Sequence, residues 1–169
     1  MDPVIDGIRG LLESQNQKKE VTVEGLITLA SGGDVADNGE IDAGDVVRFT
    51  YTLKNTTDKK YTFGVVKTNV QRSQLNFIHN VVGVTGITES DGMIELPNTR
   101  LAAGQVLTVS FDARINYYQD DDKTIVTEPE FVDDKKNQVA KGDRKEIKAK
   151  KINADKIPGM SKQKLKENL

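Results

Sequence analysis

The segment from Asp34 to Asn55, DVADNGEIDAGDVVRFTYTLKN, constrains the fold of this chain more than any other. It begins as an acidic loop that contains glycine and continues into a strongly alternating stretch. The apolar members of that stretch share one side and the polar members share the other: Val47, Phe49, Tyr51 and Leu53 against Arg48, Thr50, Thr52 and Lys54. Because successive side chains of a β-strand point to opposite faces of its sheet, this period of two predicts a half-buried strand.

The same period recurs along most of the chain, and turn-forming residues separate the alternating segments. The predicted strands are 20–29, 45–54, 61–70, 77–85, 93–96 and 105–116, with weaker candidates at 123–132 and 144–152. No helical segment lies between them, which argues against a parallel α/β sheet. The sequence therefore predicts an all-β fold, an antiparallel β-sandwich of about seven or eight strands.

The N-terminus carries a helical period instead. Asp2 can cap a helix that begins at Pro3, and the pattern extends to residue 18. The apolar side chains of this segment share one face: Val4, Ile8, Leu11 and Leu12. Such a short helix is marginal alone, so it is predicted to dock on its own domain, on a neighbouring subunit or on a preceding module.

The net charge of −2 conceals an asymmetry. Residues 135–169 contain twelve lysines and arginines against four acidic residues, which gives this end a charge of about +8. Such a segment can contact a phosphate polymer, an anionic membrane surface or an acidic partner, or it can be a solvated extension. The residues predicted for anionic contact are Lys145, Lys148, Lys150, Lys151, Lys162, Lys164 and Lys166. The predicted organisation is a helical extension at 1–19, a β-sandwich at 20–152 and a basic tail at 153–169.

The composition excludes some classes of protein. The chain has no Cys, which excludes disulfides and thiolate metal sites. No apolar run approaches the roughly 20 residues that span a bilayer. The first residues also lack the cationic leader and apolar core of a signal peptide. Either the protein stays inside the cell, or its export segment is not part of this chain.

Two longer segments resemble a known family. DNGEIDAGDVVRFTYTLKNTTD resembles the opening of the immunoglobulin-like conserved repeat modules of prokaryotic surface proteins, and MIELPNTRLAAGQVLTVSFDARI resembles a later segment of the same modules. The sequence departs from the family at Thr56-Thr57, where Thr-Gly is frequent, and at Ala103-Gly104, where Pro-Gly is usual. The resemblance covers about residues 20–116, with a possible extension to residue 152, and implies an immunoglobulin-like β-sandwich.

The resemblance implies a non-enzymatic structural or adhesive module of a prokaryotic cell-surface protein or extracellular assembly. Its partners would be other protein subunits or surface components, and strand addition at open sheet edges or homo-oligomers would be ways to assemble. The expected localisation is extracellular or at the cell surface, with the export segment outside this chain. The alternative is a structural component of a virion or an intracellular assembly in the cytoplasm.

The acidic loop contains the candidate metal ligands. Set against an EF-hand-type loop, Asp34, Asn38, Asp42 and Asp45 occupy the first, fifth, ninth and twelfth positions, with a Gly at the sixth. Calcium prefers about six to eight oxygen ligands and a mid-loop Gly. Ala36 removes the ligand at the third position. The alternative is an acidic turn in which Asp side chains accept bonds from nearby backbone N–H groups. No other cofactor is predicted.

The remaining candidates for chemistry have simpler interpretations. His79 is the only histidine, and without a Cys or second His it cannot form a metal triad or nucleophile dyad, so a strand position is predicted. LPNTR at 96–100 resembles a sortase signal but is read as strand and turn. The acidic groups at 120–122 and 133–134 could support hydrolysis if burial separated their pKa values, but turn tips facing solvent are expected. No catalytic residue is predicted.

Overall fold

The structure is a computed structural model, and the residues that it describes are 18–35, 37–70, 72–90, 93–116 and 122–151. The helix predicted over 3–18 lies outside them except for Lys18, and so does the basic tail predicted over 153–169. Among the described residues, no helix has the length and hydropathy that a membrane crossing requires.

Ten β-strands form within the described residues. They are β1 (Val21–Leu29), β2 (Val46–Asn55), β3 (Tyr61–Asn69), β4 (Leu75–Val82), β5 (Thr88–Ser90), β6 (Met93–Leu101), β7 (Val106–Ile115), β8 (Lys123–Val132), β9 (Gln138–Lys141) and β10 (Lys145–Ala149). A single 3-10 turn, Arg72–Gln74, precedes β4. The sequence predicts eight of these strands and misses β5 and β9, which are the shortest.

The strands form two sheets in which every neighbouring pair is antiparallel. The first sheet has the order β1-β2-β7-β4, and the second has the order β10-β8-β3-β6-β5, with β9 also paired to β8. One cluster of buried apolar side chains draws on both sheets. The predicted all-β class and antiparallel sandwich are confirmed.

β6 differs most from its prediction. The sequence predicts a break at Pro97-Asn98, yet β6 runs on from Met93 to Leu101. Asn98 takes a φ of 55°, and the pairing of β6 with β3 shifts register beside Gly64. A bulge accommodates residues that do not fit the regular ladder, so the strand resumes beyond Pro97.

The core centres on the alternating residues of β2 and β7. Phe49 and Phe111 are fully buried, lie opposite each other in register and stack with ring centroids 4.9 Å apart. Tyr51 contacts the same Phe111 ring at 6.1 Å. The apolar face predicted for β2 is confirmed, since Val47, Phe49, Tyr51 and Leu53 are all inaccessible to solvent.

A chain of hydroxyl groups joins the two sheets inside this core. The hydroxyls of Tyr51 on β2 and Thr127 on β8 are hydrogen-bonded over 2.8 Å, and Thr127 in turn bonds the Thr68 hydroxyl on β3. All three residues are buried, and burial raises the pKa of Tyr51 so that its hydroxyl stays protonated. An unpaired buried hydroxyl costs about 1–3 kcal/mol, so these bonds favour one alignment of the sheets.

Candidate functional site

The acidic loop, residues 34–45, connects β1 to β2 and brings the predicted metal ligands together. Carboxylate oxygens of Asp34, Asp42 and Asp45 lie within 4.8 Å of one another. Asp42 is 3% exposed and Asp45 is inaccessible, which is uncommon for carboxylates. The Asn38 amide joins them by donating from Nδ2 to Asp42 Oδ2 over 2.6 Å. All four residues singled out in the sequence therefore share one site.

Three carboxylate oxygens of the loop accept hydrogen bonds from backbone N–H groups. Asp45 Oδ1 accepts from Val35 N, and Asp45 Oδ2 accepts from Asp42 N, both over 2.8 Å. Asp34 Oδ2 accepts from Gly39 N over 2.7 Å. These bonds hold the loop closed around its own carboxylates, as an acidic turn does.

The pKa of the Asp45 carboxyl is clearly raised. Burial raises its pKa to about 6, against the two backbone N–H bonds that favour the ionised form. The neighbouring charges of Asp34 and Asp42 raise the pKa further. Ionisation of Asp45 beside two other carboxylates therefore costs free energy at neutral pH, and the backbone N–H bonds offset only part of that cost.

The donor set fits a hard cation in part. Asp34 Oδ1 is buried and has no hydrogen-bond partner among the described residues, so it is a candidate ligand beside Asp42 and Asp45. Asn38 does not present an oxygen to the cluster, because its Nδ2 faces Asp42 and its Oδ1 accepts from Glu40 N over 2.9 Å. The hydrogen bonds accord with the acidic-turn interpretation, and a calcium site at these residues stays a prediction.

The acidic loop also holds the end of β10, a contact that the sequence does not predict. Ala43 N donates to Lys150 O over 2.9 Å, and Lys150 N donates to Ile41 O over 3.0 Å. The Lys150 ammonium pairs with Glu40 over 2.9 Å. The loop therefore ties the start of β2 in the first sheet to the last described strand of the second sheet.

The lysines predicted for anionic contact divide into three groups. Lys148 and Lys150 are ion-paired, with Asp122 at 3.6 Å and with Glu40, respectively. Lys145 and Lys151 are solvent-exposed. The others lie outside the described residues: Lys162, Lys164 and Lys166. The positive charge close to β10 is thus partly compensated by acidic neighbours.

Phe63 on β3 is one of the exposed large apolar side chains of the described residues. Its side chain is 58% exposed, whereas the adjacent Gly64 is buried. A Cβ at Gly64 would lie 2.3 Å from the Phe131 ring, so that ring already fills the interior at this point. Tyr61 packs edge-on against Phe131 at 5.5 Å. Because successive residues of a strand point to opposite faces, Phe63 points away from the core and into solvent.

Two grooves flank Phe63, and together they form what we term the Phe63 surface. One, of about 550 Å³, is lined by Lys59, Lys60, Tyr61, Thr62, Phe63, Gly64, Asp133, Asp134, Lys135 and Asn137. The other, of about 750 Å³, is lined by Phe63, Gly83, Val84, Thr85, Asn98, Arg100, Gln105 and Leu107. This surface is not predicted from the sequence, although the position of Phe63 one residue out of phase with Gly64, Val66 and Thr68 is a signal for it.

The other sequence candidates occupy structural positions. His79 lies in β4, and its ring stacks on the exposed Phe77 at 4.2 Å. Asp133 accepts bonds from Lys135 N and Asn137 N and so closes the turn between β8 and β9. The LPNTR sequence forms part of β6. Of the 120–122 cluster, only Asp122 is described, and its Oδ1 accepts a hydrogen bond from Lys151 N.

A partly buried ion pair on the first sheet is also structural. Asp112 on β7 is buried, and its carboxylate accepts hydrogen bonds from Arg48 Nε over 2.9 Å and from Asn80 Nδ2 over 2.8 Å. Although burial acts in the opposite direction, the bonds from Arg48 and Asn80 keep the pKa of Asp112 below its ordinary value. These contacts fasten the irregular β4 to β7.

Comparison with known proteins gives distant structural likenesses and no family. No protein-family model and no curated protein sequence matches the chain. The sixth cohesin of Acetivibrio cellulolyticus scaffoldin B shares 13% identity, with 79% of this chain and 100% of that one covered and a TM-score of 0.48. The pilin SpaD of Corynebacterium diphtheriae shares 12% identity over 75% of this chain and 34% of that one, also at 0.48. AvmM, a macrocyclization catalyst, shares 8% identity over 78% and 89%, at 0.45. Likenesses of this size assign no function.

The raised pKa of Asp45 predicts how stability depends on pH. Its contribution is fully present below the ordinary value of 3.8 and is lost as pH rises through about 6. We therefore expect the melting temperature in EDTA to fall between about pH 4 and pH 7 through this group. In Asp45→Asn this part of the slope should disappear, while Asp58→Asn, at an exposed carboxylate, should keep it.

The same melts test the calcium prediction. If the loop is an acidic turn, calcium and magnesium at millimolar concentration should leave the slope as it is in EDTA. A slope removed by calcium but not by magnesium in the wild-type chain, with no effect of calcium on the melting temperature of Asp45→Asn, would identify the cluster as a calcium site. An unchanged slope in Asp45→Asn would contradict the assignment to Asp45.

Proposed function

We propose that this chain is a non-enzymatic, immunoglobulin-like structural or adhesive module of a prokaryotic cell-surface protein or extracellular assembly. The observation that carries the proposal is the Phe63 surface, where an exposed aromatic side chain stands between two grooves on a firmly packed sandwich. Exposed aromatic anchors of this kind are typical of protein contact surfaces. The family resemblance of residues 20–116 supports the same role.

The placement of ionisable groups also favours a contact role over catalysis. The charged residues that line the two grooves remain at least partly open to solvent. Asp45 and Asp112, which are buried, are engaged by backbone N–H groups and by Arg48, respectively. Acid–base catalysis needs perturbed groups that reach a substrate in a water-excluded cleft. These buried carboxylates serve the turn and the sheet instead.

Three edge strands, β4, β5 and β10, favour contact through side chains over addition of a strand. The edge strand β5 has three residues, and β10 carries Lys145 and Lys148. β4 pairs with shifted register and contains positive φ values at Phe77 and Asn80. Short, charged or bulged edges are poor templates for another strand. Strand addition would therefore be confined to β1, the regular nine-residue edge of the first sheet, and the Phe63 surface is the proposed contact through side chains.

We expect self-association through the Phe63 surface, since another subunit of the same kind presents the same aromatic side chain. Phe63→Ser should weaken self-association about tenfold or more, which corresponds to the roughly 1–2 kcal/mol that an interface anchor contributes. Leu26→Ser, at a side chain that is 55% exposed on β1, is the matched control and should leave self-association unchanged. Sedimentation velocity over a concentration series measures both. A wild-type chain that stays monomeric throughout would reject the homo-oligomer.

The placement of the protein at the surface is tested on intact host cells. Brief protease treatment should release peptides from residues 18–151, because exposed modules are cleaved while the envelope still protects cytoplasmic proteins. A cytoplasmic marker protein provides the control for lysis. Peptides that appear only after lysis, or in purified virus particles, would favour the alternative of an intracellular or virion assembly.

The basic tail is proposed as an electrostatic contact for an anionic surface, motivated by the charge of about +8 over residues 135–169. Binding to vesicles that contain anionic lipid should weaken steeply as salt rises, because exposed charges are screened. Residues 153–169 contain four lysines against two acidic residues, so a chain that ends at residue 152 should bind measurably more weakly, and Lys145→Gln should lose less. Equal binding of the full and shortened chains would reject this use of the tail.

A further inference from the structure

The tip of the acidic loop contains the only Asn-Gly pair in the sequence, Asn38-Gly39. Both residues are exposed. Gly39 has a φ of 74°, and a Cβ built there would meet nothing within 4 Å. Glycine has no side chain to shield its backbone nitrogen, so the Asn side chain that precedes it can approach that nitrogen with little steric hindrance. An asparagine in this setting is prone to attack by the following backbone nitrogen.

Three hydrogen bonds surround the atoms that would react. Gly39 N, the nucleophile, donates to Asp34 Oδ2 over 2.7 Å. Asn38 Oδ1, which gains electron density during attack, accepts from Glu40 N over 2.9 Å. Asn38 Nδ2, the leaving group, donates to Asp42 Oδ2 over 2.6 Å. The partners on both sides of the amide define which atom is oxygen and which is nitrogen.

We propose that Asn38 is a site of spontaneous deamidation in the folded protein. Gly39 N attacks Asn38 Cγ, a bond forms between them, and the bond from Cγ to Nδ2 breaks. Ammonia leaves with the proton that Gly39 N gives up, and a cyclic succinimide remains. Water then opens one of the two imide bonds, which yields aspartate or isoaspartate at position 38. The net reaction consumes one water and releases one ammonia.

The product changes the electrostatics of the loop. A carboxylate replaces the amide that donated to Asp42, so a hydrogen bond becomes a contact between like charges. It is the fourth carboxylate in a cluster that already holds Asp34, Asp42 and Asp45. The same loop holds Lys150 at the end of β10. Deamidation therefore lowers the stability of the loop and of its attachment to β10.

Peptide mapping by mass spectrometry tests the site in the full chain. The folded protein is incubated in mildly alkaline buffer, and conversion is followed at Asn38, Asn80 and Asn137. The last two are also exposed but precede Val81 and Gln138. We expect conversion at Asn38 to be severalfold faster, with isoaspartate and aspartate as separable products. Conversion at Asn38 that is no faster than at the other two positions would overturn the proposal.

Two variants separate the chemistry from its consequence. Asn38→Gln should abolish conversion at this position, because closing the larger ring of glutamine is much slower. Asn38→Asp reproduces one product and should lower the melting temperature relative to Asn38→Gln. The position is exposed and lies in a loop, so both variants should fold. Equal melting temperatures would overturn the stated effect on the loop, and unchanged conversion of the peptide that contains position 38 in Asn38→Gln would overturn the assignment to Asn38.

Discussion

The burial of one face of β2 and β7 against the second sheet is the interaction on which the rest of the molecule depends. Phe49 and Phe111 stack at its centre, and Tyr51 extends it through a hydroxyl chain to Thr127. Each fully buried side chain of this size stabilises the fold by about 1.5–3 kcal/mol through removal of apolar surface from water. The hydroxyl chain favours one alignment of the two sheets, because in other alignments its buried hydroxyl groups would lack hydrogen-bond partners.

The acidic loop and the Phe63 surface are consequences of this packing at two places. At the start of β2, the chain enters the core immediately after Asp45, so Asp42 and Asp45 are buried there. Hydrogen bonds from backbone N–H groups offset part of the free-energy cost of ionising Asp45 there. The pKa of Asp45 is nevertheless raised, because these bonds do not offset the whole cost. At β3, the Phe131 ring occupies the interior beside Gly64 and leaves Phe63 in solvent.

Sequence patterns correctly predicted the features that depend on one strand alone. The alternation of β1, β2 and β7 identified both the strands and their buried faces, since a side chain's direction in a strand follows from its position. The patterns failed for strands whose existence or length depends on pairing with another strand. β5 and β9 are too short to show a period, and β6 continues through Pro97 because pairing with β3 accommodates a bulge. At the loop, the sequence identified Asp34, Asn38, Asp42 and Asp45 but could not show that Asn38 turns its nitrogen to the cluster.

By itself, the sequence determined the all-β class, the inward face of the main strands and the acidic character of the loop. Each of these follows from residue type and spacing within one segment. Only the tertiary structure decided that the loop holds Lys150, that its carboxylates converge and that Phe63 is exposed between two grooves. The physical reason is that these features depend on distances between segments far apart in the chain, and those distances are set when the two sheets pack together.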